Sequence, residues 1–139
     1  MAQGWKSSEG KVLASHITIL LVDDDPLICS LGKELLEHLG YHVLTAQDGA
    51  QALEAYRQQG PVELVILDYH LPGGNGLAVM EDLKALDAGL RVVVASGYFS
   101  PQEVVRLREK GASGLIHKPF RARELEAHIR LALAGMAGW

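Results

Sequence analysis

The chain has 139 residues, which is enough for one domain with a substantial hydrophobic core. Its residues are 48% hydrophobic and 22% charged, its formal net charge is −4, and it has no basic stripe, so direct binding of nucleic acid or of an anionic membrane is not expected. The apolar runs are too short to span a bilayer, and residues 1–15 lack the apolar stretch of a secretory signal. The single cysteine cannot form an internal disulfide, which fits a reducing compartment. The sequence therefore predicts a cytoplasmic protein without membrane insertion.

Five short apolar runs are predicted to form β-strands: Ile17–Val22, His42–Thr45, Glu63–Leu67, Arg91–Ala95 and Gly114–His117. The first, third and fourth are almost continuously apolar, which is typical of strands covered on both faces in a parallel sheet. Stretches of helical period alternate with the strands. Right-handed crossovers then predict a doubly wound α/β domain, with helices on both faces of a five-stranded parallel sheet.

The first predicted helix has a leucine at every fourth position, which indicates an apolar stripe: Leu27, Leu31, Leu35 and Leu39. Gly40 is suited to the C-terminal cap of this helix. Cys29 lies on the apolar side of this helix and is expected to be a buried, unreactive thiol. The next three helices are predicted to start at Asp48, at about Asn75 and at Ser100.

Capping residues support two of these starts. Asp48 has Gln51 three residues on, and Ser100 is followed by Pro101 and Glu103, which provide a first-turn proline and a capping partner. The fifth helix has its apolar stripe at Leu125, Ile129 and Leu133. The predicted domain covers residues 17–134. Residues 1–16 are interpreted as an N-terminal extension, native or left from cloning, and residues 135–139 as a C-terminal tail.

Polar side chains follow four of the five predicted strands directly: Asp23, Asp24, Asp25, Asp68, Ser96 and Lys118. The carboxyl ends of parallel strands meet at one edge of the sheet, where ligands bind in open α/β folds, so these side chains are expected to gather there. Taken singly, each has an ordinary interpretation. Asp25, next to Pro26, is expected to be mainly a helix cap, and Ser96 or Lys118 alone would suggest only a turn or a solvated amine.

Taken together, these residues indicate phosphoryl chemistry. Crowded carboxylates repel one another unless a divalent cation lies between them, and Mg²⁺ prefers such oxygen ligands. A carboxylate can act as a nucleophile and form an aspartyl phosphate. A lysine and a hydroxyl group would stabilise the negative charge on the transferred phosphoryl oxygens.

Four segments carry a resemblance to the receiver domains of two-component response regulators: ILLVDDDP (19–26), LVILDYHLPGGNG (64–76), VVVASGY (92–98) and GASGLIHKPF (111–120). The resemblance covers about residues 17–134. It implies a flavodoxin-like (βα)5 fold with strand order 2-1-3-4-5 and a cis peptide bond before Pro119.

The resemblance also implies a role for each site residue. Asp68 would be the phosphoacceptor, and Ser96 and Lys118 would contact the phosphoryl group. Asp23, Asp24, Asp68 and the backbone carbonyl of His70 would hold Mg²⁺, for which Mn²⁺ could substitute. The chain would be a regulatory domain with self-catalysed phosphorylation and dephosphorylation rather than an enzyme.

The partners implied by the resemblance are proteins. A sensor histidine kinase or a histidine phosphotransfer protein would donate the phosphoryl group. A downstream target would bind the face formed by the fourth helix, fifth strand and fifth helix, which is also the family's usual homodimer surface. No direct contact with nucleic acid is expected.

Three positions depart from the family pattern or vary within it. Leu115 stands where many members have a Tyr or Phe that rotates inward on activation, so that aromatic group is either absent or supplied by Tyr98 or Phe99. His70 and Tyr98 stand at variable positions that tune hydrolysis of the acyl phosphate. We expect their bulk to shield the phosphoryl group and to give a long-lived phosphorylated form.

The sequence disfavours three other functions. An aspartyl-phosphate phosphatase of the haloacid-dehalogenase type requires a second Asp two residues after the nucleophile, where this chain has His70. A phosphorylation-independent pseudo-receiver is disfavoured by the intact set of acidic, hydroxyl and amine residues. A flavin- or nucleotide-binding protein would place a glycine- or hydroxyl-rich loop after the first strand, where the aspartates would repel phosphate.

Overall fold

The computed structural model describes residues 17–136 and residue 138, so the predicted N-terminal extension lies outside the described residues. Seven strands are present among these residues: β1 Thr18–Val22, β2 His42–Ala46, β3 Leu64–Asp68, β4 His70–Leu71, β5 Gly74–Asn75, β6 Arg91–Ser96 and β7 Gly114–His117. Five helices connect or follow them: α1 Pro26–His38, α2 Gly49–Gln58, α3 Gly76–Leu86, α4 Pro101–Glu109 and α5 Ala122–Leu133.

The main sheet has five parallel strands in the order β2-β1-β3-β6-β7. Counting only these five strands along the chain, the order is 2-1-3-4-5, so the predicted topology is confirmed. The sequence did not predict β4 and β5, which form a small antiparallel ribbon directly after β3, with His70 opposite Asn75.

The sheet is buried on both faces because alternate residues of its strands point to opposite sides. On one side, Leu20 and Val22 of β1 belong to a core shared with α2, α3 and α4. On the other side, Ile19 and Leu21 belong to a second core shared with α1 and α5. The α1 and α5 helices therefore cover one face and the other three helices cover the opposite one, as expected for a doubly wound fold.

Two helix starts agree with the predicted caps, with one difference in detail. Ser100 and Glu103 form a reciprocal capping box at α4. The Asp48 carboxylate accepts a hydrogen bond from the N–H of Gln51 (2.7 Å). The Gln51 side chain accepts from the N–H of Gln47 (2.9 Å) instead of from Asp48.

The predicted leucine stripe of α1 is wrong at its N-terminal half. Leu27 is 62% exposed and Leu31 is 57% exposed, whereas Cys29 and Leu36 are buried. A step of four residues advances by more than one full turn of an α-helix, because a turn takes about 3.6 residues. A strict four-residue repeat therefore drifts around the helix, and only its later members face the sheet. No helix among residues 17–136 is both long and apolar enough to cross a membrane.

Candidate functional site

Three of the predicted acidic residues meet at the carboxyl-terminal edge of the main sheet. Asp23 and Asp24 follow β1, and Asp68 is the last residue of β3, the neighbouring strand. Carboxylate oxygens from the three residues lie within 4.8 Å of one another. Asp23 and Asp68 are buried, with 3% and 6% exposure, whereas Asp24 is exposed. The cluster is thus built inside the protein but is open to solvent through Asp24.

Lys118, which follows β7, reaches across the sheet edge to two of these carboxylates. Its Nζ lies 2.6 Å from Oδ2 of Asp23 and 3.4 Å from Oδ2 of Asp68. Burial lowers the pKa of the Lys118 amine, but the hydrogen bond to Asp23 and the charge of Asp68 outweigh burial, so the net shift of this pKa is upward. The amine is therefore charged at neutral pH. The Lys118–Pro119 peptide bond is cis, as expected.

The pKa of the Asp68 carboxyl lies above its ordinary value. Burial raises its pKa, while the N–H of His70, 3.2 Å from Oδ1, and the charge of Lys118 act in the opposite direction. The loop beyond Asp68 is packed directly against Gly76, the first residue of α3. A Cβ atom on Gly76 would lie 2.7 Å from the Asp68 carbonyl oxygen and 2.9 Å from Cα of Tyr69. Only glycine allows this close approach of backbone to backbone.

Ser96 ends β6 at the same edge and is buried, with 1% exposure. Its hydroxyl group donates to the carbonyl oxygen of Tyr98 (2.9 Å) and accepts from the N–H of Tyr98 (3.3 Å). Its own carbonyl oxygen accepts from the N–H of Lys118 (2.8 Å). The structure thus brings Ser96 to the site, with its hydroxyl group engaged by its own loop.

Asp25 and Cys29 each donate a hydrogen bond to Asp23 and so help to hold it in position. Asp25 caps α1 by accepting from the N–H of Leu27 (2.9 Å), and its own N–H donates to Oδ1 of Asp23 (3.0 Å). The thiol of Cys29 donates to the Asp23 carbonyl oxygen (3.2 Å). Burial, together with the charge of Asp23, raises the pKa of this thiol, which agrees with the expected buried, unreactive cysteine.

Sequence reasoning missed the supporting roles of Gly76 and Cys29. For Gly76 the signal was its place at the end of the Gly-Gly-Asn-Gly run, where a helix starts close to a strand end. For Cys29 no spacing rule would have indicated a partner six residues earlier.

The three residues that depart from the family pattern or vary within it differ in their exposure. His70 is exposed, and its ring lies edge-on to Tyr69 with centroids 5.2 Å apart. The Tyr98 side chain is 70% exposed, whereas Phe99 is buried, and the Phe99 ring contacts the rings of Tyr69 and His117. Leu115 is partly buried against the same core. Of the two aromatic residues predicted to replace the missing aromatic group at position 115, Phe99 is therefore the one in the interior.

The donor set fits Mg²⁺. This cation prefers hard oxygen ligands, usually one or two carboxylates, and keeps several waters. Two buried carboxylates supply fixed charge, and the exposed Asp24 leaves room for waters and for a phosphate oxygen. The crowding of three carboxylates beside one ammonium group leaves excess negative charge that a divalent cation would neutralise.

A family model for the response regulator receiver domain matches residues 19–130. The chain belongs to this family. Receiver domains are regulatory signalling modules, and the acidic cluster of this one corresponds to the metal site typical of the family.

Similar sequences and structures agree with this assignment. The receiver domain is 39% identical over 115 residues to the DNA-binding response regulator MtrA of Mycolicibacterium smegmatis, covering 83% of this chain and 50% of MtrA. It is 35% identical over 119 residues to the transcriptional regulatory protein ZraR of Escherichia coli K12, covering 86% of this chain and 27% of ZraR. The chain thus spans half or less of the length of these two relatives.

Two crystal structures show how closely the fold is shared. A CheY-like receiver domain protein from Methanospirillum hungatei JF-1 has a TM-score of 0.80 and 30% sequence identity, with 86% of this chain and 94% of that chain covered. The receiver domain of NtrX from Brucella abortus has a TM-score of 0.76 and 36% identity, with 84% of this chain and 98% of that chain covered.

Proposed function

We propose that this receiver domain accepts a phosphoryl group from a phosphohistidine onto Asp68, in a Mg²⁺-dependent step of a two-component phosphorelay. One observation carries the proposal. Carboxylate oxygens of Asp23, Asp24 and Asp68 lie within 4.8 Å of one another, with the Lys118 amine 3.4 Å from Asp68. This arrangement supports a nucleophilic role for the Asp68 carboxylate, because phosphoryl transfer requires cationic groups beside the nucleophile.

In the proposed step, a carboxylate oxygen of Asp68 forms a bond to phosphorus while the phosphorus–nitrogen bond of the donor breaks. The electron pair of that bond stays on the imidazole nitrogen, which takes up a proton from solvent. Mg²⁺, held by Asp23, Asp24, Asp68 and the His70 carbonyl, would offset the charge of the phosphoryl oxygens, and Mn²⁺ would serve in its place. The N–H of His70, 3.2 Å from Oδ1, fixes the orientation of the Asp68 carboxylate.

Lys118 and Ser96 act on the product. The added group brings nearly two negative charges and three acceptor oxygens beside the Lys118 amine. We expect the amine to contact the phosphoryl group and the Ser96 hydroxyl group to turn from Tyr98 toward a phosphoryl oxygen. The loop from Gly97 to Ser100 leads into α4, so this rearrangement would alter the face formed by α4, β7 and α5.

The proposed partners follow from this chemistry. The donor is a sensor histidine kinase or a histidine phosphotransfer protein in the cytoplasm, and the receiver binds a downstream protein, or a second copy of itself, through the α4–β7–α5 face. Asp24 marks the side from which a phosphohistidine can approach, because it is the exposed member of the cluster.

Intact-mass measurement after incubation with acetyl phosphate tests the proposal. We expect a gain of one phosphoryl group with Mg²⁺, no gain with a chelator, and no gain in Asp68→Asn. Asp24→Asn should need a higher Mg²⁺ concentration. Asp25→Asn is the matched control, because asparagine still caps a helix, and it should behave like the wild type.

The remaining outcomes distinguish the alternatives. Repeated hydrolysis of assorted phosphate esters would indicate a phosphatase. Absence of both mass gain and turnover, with partner binding retained, would indicate a phosphorylation-independent module. Either result would refute the proposed function.

A further inference from the structure

The chain turns back toward the sheet after α5. Gly135 has a φ of +77°, its N–H donates to the Ala132 carbonyl (3.0 Å), and the N–H of Met136 donates to the Leu131 carbonyl (2.9 Å). This pair of hydrogen bonds is the Schellman arrangement, in which a glycine in the left-handed conformation ends a helix and reverses the chain. The described residues beyond the turn, Met136 and Gly138, are called here the returning segment.

Gly138 extends the main sheet at its β7 edge. It pairs in parallel with Gly114: its N–H donates to the Ser113 carbonyl (2.9 Å), and its carbonyl accepts from the N–H of Leu115 (3.1 Å). Without this contact, those two groups would be open edge positions of the sheet, ready to pair with another strand. The returning segment therefore occupies, within the same molecule, part of an edge that could accept a partner strand.

The pairing depends on glycine at both positions. A Cβ atom on Gly114 would lie 2.9 Å from the carbonyl oxygen of Gly138 and 3.1 Å from its Cα. A Cβ atom on Gly138 would lie 2.9 Å from Nδ1 of His128 on α5. Gly138 is itself buried. The fit is therefore specific, with two backbones and an imidazole ring in close contact.

The contact is also weak enough to open. Two backbone hydrogen bonds join Gly138 to β7, and a pairing held by so few contacts opens at low free-energy cost. Nδ1 of His128 is buried and has no hydrogen-bond partner among the described residues. Opening would expose this nitrogen to water, and its hydration would offset part of the free energy lost with the two hydrogen bonds of Gly138.

The same short strand connects the returning segment to the site. β7 has four residues: its first half pairs with Gly138, and Lys118 follows its last residue. The N–H of Lys118 donates to the Ser96 carbonyl, and the Lys118 amine contacts Asp23 and Asp68. A shift of Lys118 or Ser96 would therefore move β7, and with it the residues that pair with Gly138.

We propose that the returning segment is a releasable cover of the β7 edge, docked in the unphosphorylated protein and undocked when Asp68 is phosphorylated. This rests on the proposed function, because release is driven by the phosphoryl group acting on Lys118 and Ser96. Linkage requires the reverse effect as well: a variant that weakens docking favours phosphorylation. Release exposes the Ser113 carbonyl and the Leu115 N–H on the face proposed to bind partners.

Hydrogen exchange of the full chain, read at single amides, tests the proposal. In the resting protein the N–H groups of Leu115 and Gly138 should be protected, with Ile66 in the central strand as an internal reference. With acetyl phosphate and Mg²⁺, exchange at Leu115 and Gly138 should become about tenfold faster while Ile66 is unchanged. Asp68→Asn should show no change.

Each of the other outcomes refutes one part of the proposal: docking, release or phosphorylation. Fast exchange at Leu115 and Gly138 in the resting protein refutes docking. Unchanged protection in a sample that intact mass shows to be phosphorylated refutes release. No mass gain refutes the proposed function and with it the release step, whereas slow exchange in the resting protein still supports docking.

A matched pair of glycine variants provides a second test. Gly138→Val should speed exchange at Leu115 about tenfold and raise the phosphorylated fraction at a limiting donor concentration a few-fold. Gly89→Val is the control, because only Asp87 Oδ1, at 3.6 Å, lies near a Cβ atom there. Adding His128→Ala to Gly138→Val removes the ring that the new side chain meets and should restore slow exchange. If the N–H of Leu115 stayed protected in unphosphorylated Gly138→Val, the proposal would be contradicted.

Discussion

The amine of Lys118 lies closer to Asp23 than to Asp68: Nζ is 2.6 Å from Oδ2 of Asp23 and 3.4 Å from Oδ2 of Asp68. In the unphosphorylated protein this lysine thus mainly neutralises a predicted metal ligand. A cation bound by the acidic cluster and this ammonium group would repel each other. Under the proposed function, Lys118 would therefore lower Mg²⁺ affinity while it helps to stabilise the phosphoryl group.

Lys118→Met should separate these two effects. Removing a positive charge this near should raise Mg²⁺ affinity about 5- to 10-fold, since the Coulomb term at about 4 Å is roughly 1 kcal/mol even in water. The phosphorylation rate with acetyl phosphate should fall, because the phosphoryl group loses its cationic partner. Calorimetric titration with Mg²⁺ measures the first effect, and the time course of intact mass measures the second.

Lys110→Met is the control for this comparison, since Lys110 pairs with Glu81 at 3.2 Å on the exposed surface. It should change neither quantity. Equal or weaker Mg²⁺ affinity in Lys118→Met would show that the lysine does not oppose the cation.

His70 and Tyr98 are predicted to slow loss of the phosphoryl group. Both side chains are exposed, and each follows a site residue by two positions: His70 follows Asp68, and Tyr98 follows Ser96. There they can hinder the approach of water without filling the site itself. In His70→Asn and Tyr98→Ala, the phosphorylated form should decay several-fold faster when the donor is removed. If neither variant decays faster than the wild type, the shielding hypothesis is wrong.

His128 predicts a loss of stability in mild acid. Burial lowers the pKa of this imidazole, and the charge of Glu124, which acts in the opposite direction, does not compensate. The folded protein therefore holds His128 neutral at a pH where the unfolded chain, with a pKa near 6.5, already binds a proton. Stability should fall as the pH drops from about 6.5 through the lowered pKa.

Urea unfolding at a series of pH values checks this expectation. His128→Gln should flatten the decline in the midpoint below about pH 6.5. His38→Gln, at an exposed position in the last turn of α1, should leave the decline as in the wild type. A decline of the same depth in His128→Gln would assign the acid sensitivity to other groups.

The sequence predicted the sheet order and the gathering of Asp23, Asp24, Asp68 and Lys118, because both follow from strand order alone. The carboxyl ends of parallel strands must share an edge, whatever the packing. The burial of Leu27 and Leu31 was predicted wrongly, because a four-residue repeat does not say where along a helix the sheet begins to cover it.

The other features that escaped prediction depend on distances between distant segments. The pairing of Gly138 with Gly114 joins positions 24 residues apart through backbone groups, and backbone groups leave no side-chain pattern in the sequence. The preference of Lys118 for Asp23 over Asp68 is a difference of less than one ångström, set by how β7 lies against its neighbours. Such differences decide the electrostatics of the site but have no counterpart in motif spacing.

Gly76→Ala should damage the site without touching any of its charged side chains. The new Cβ atom would lie 2.7 Å from the Asp68 carbonyl oxygen, a backbone atom that cannot rotate away, so α3 or the loop after β3 must shift. We expect a loss of about 1–3 kcal/mol in the free energy of unfolding, as for other overpacked positions. Phosphorylation by acetyl phosphate should slow as well, because the carboxylate moves relative to Asp23 and Lys118.

Gly74→Ala, two residues earlier, is the matched control, since nothing lies within 4 Å of a Cβ atom there. Urea unfolding and the time course of intact mass measure both variants. If they behaved alike, the close packing of α3 against the β3 end would have no role in holding Asp68 in place.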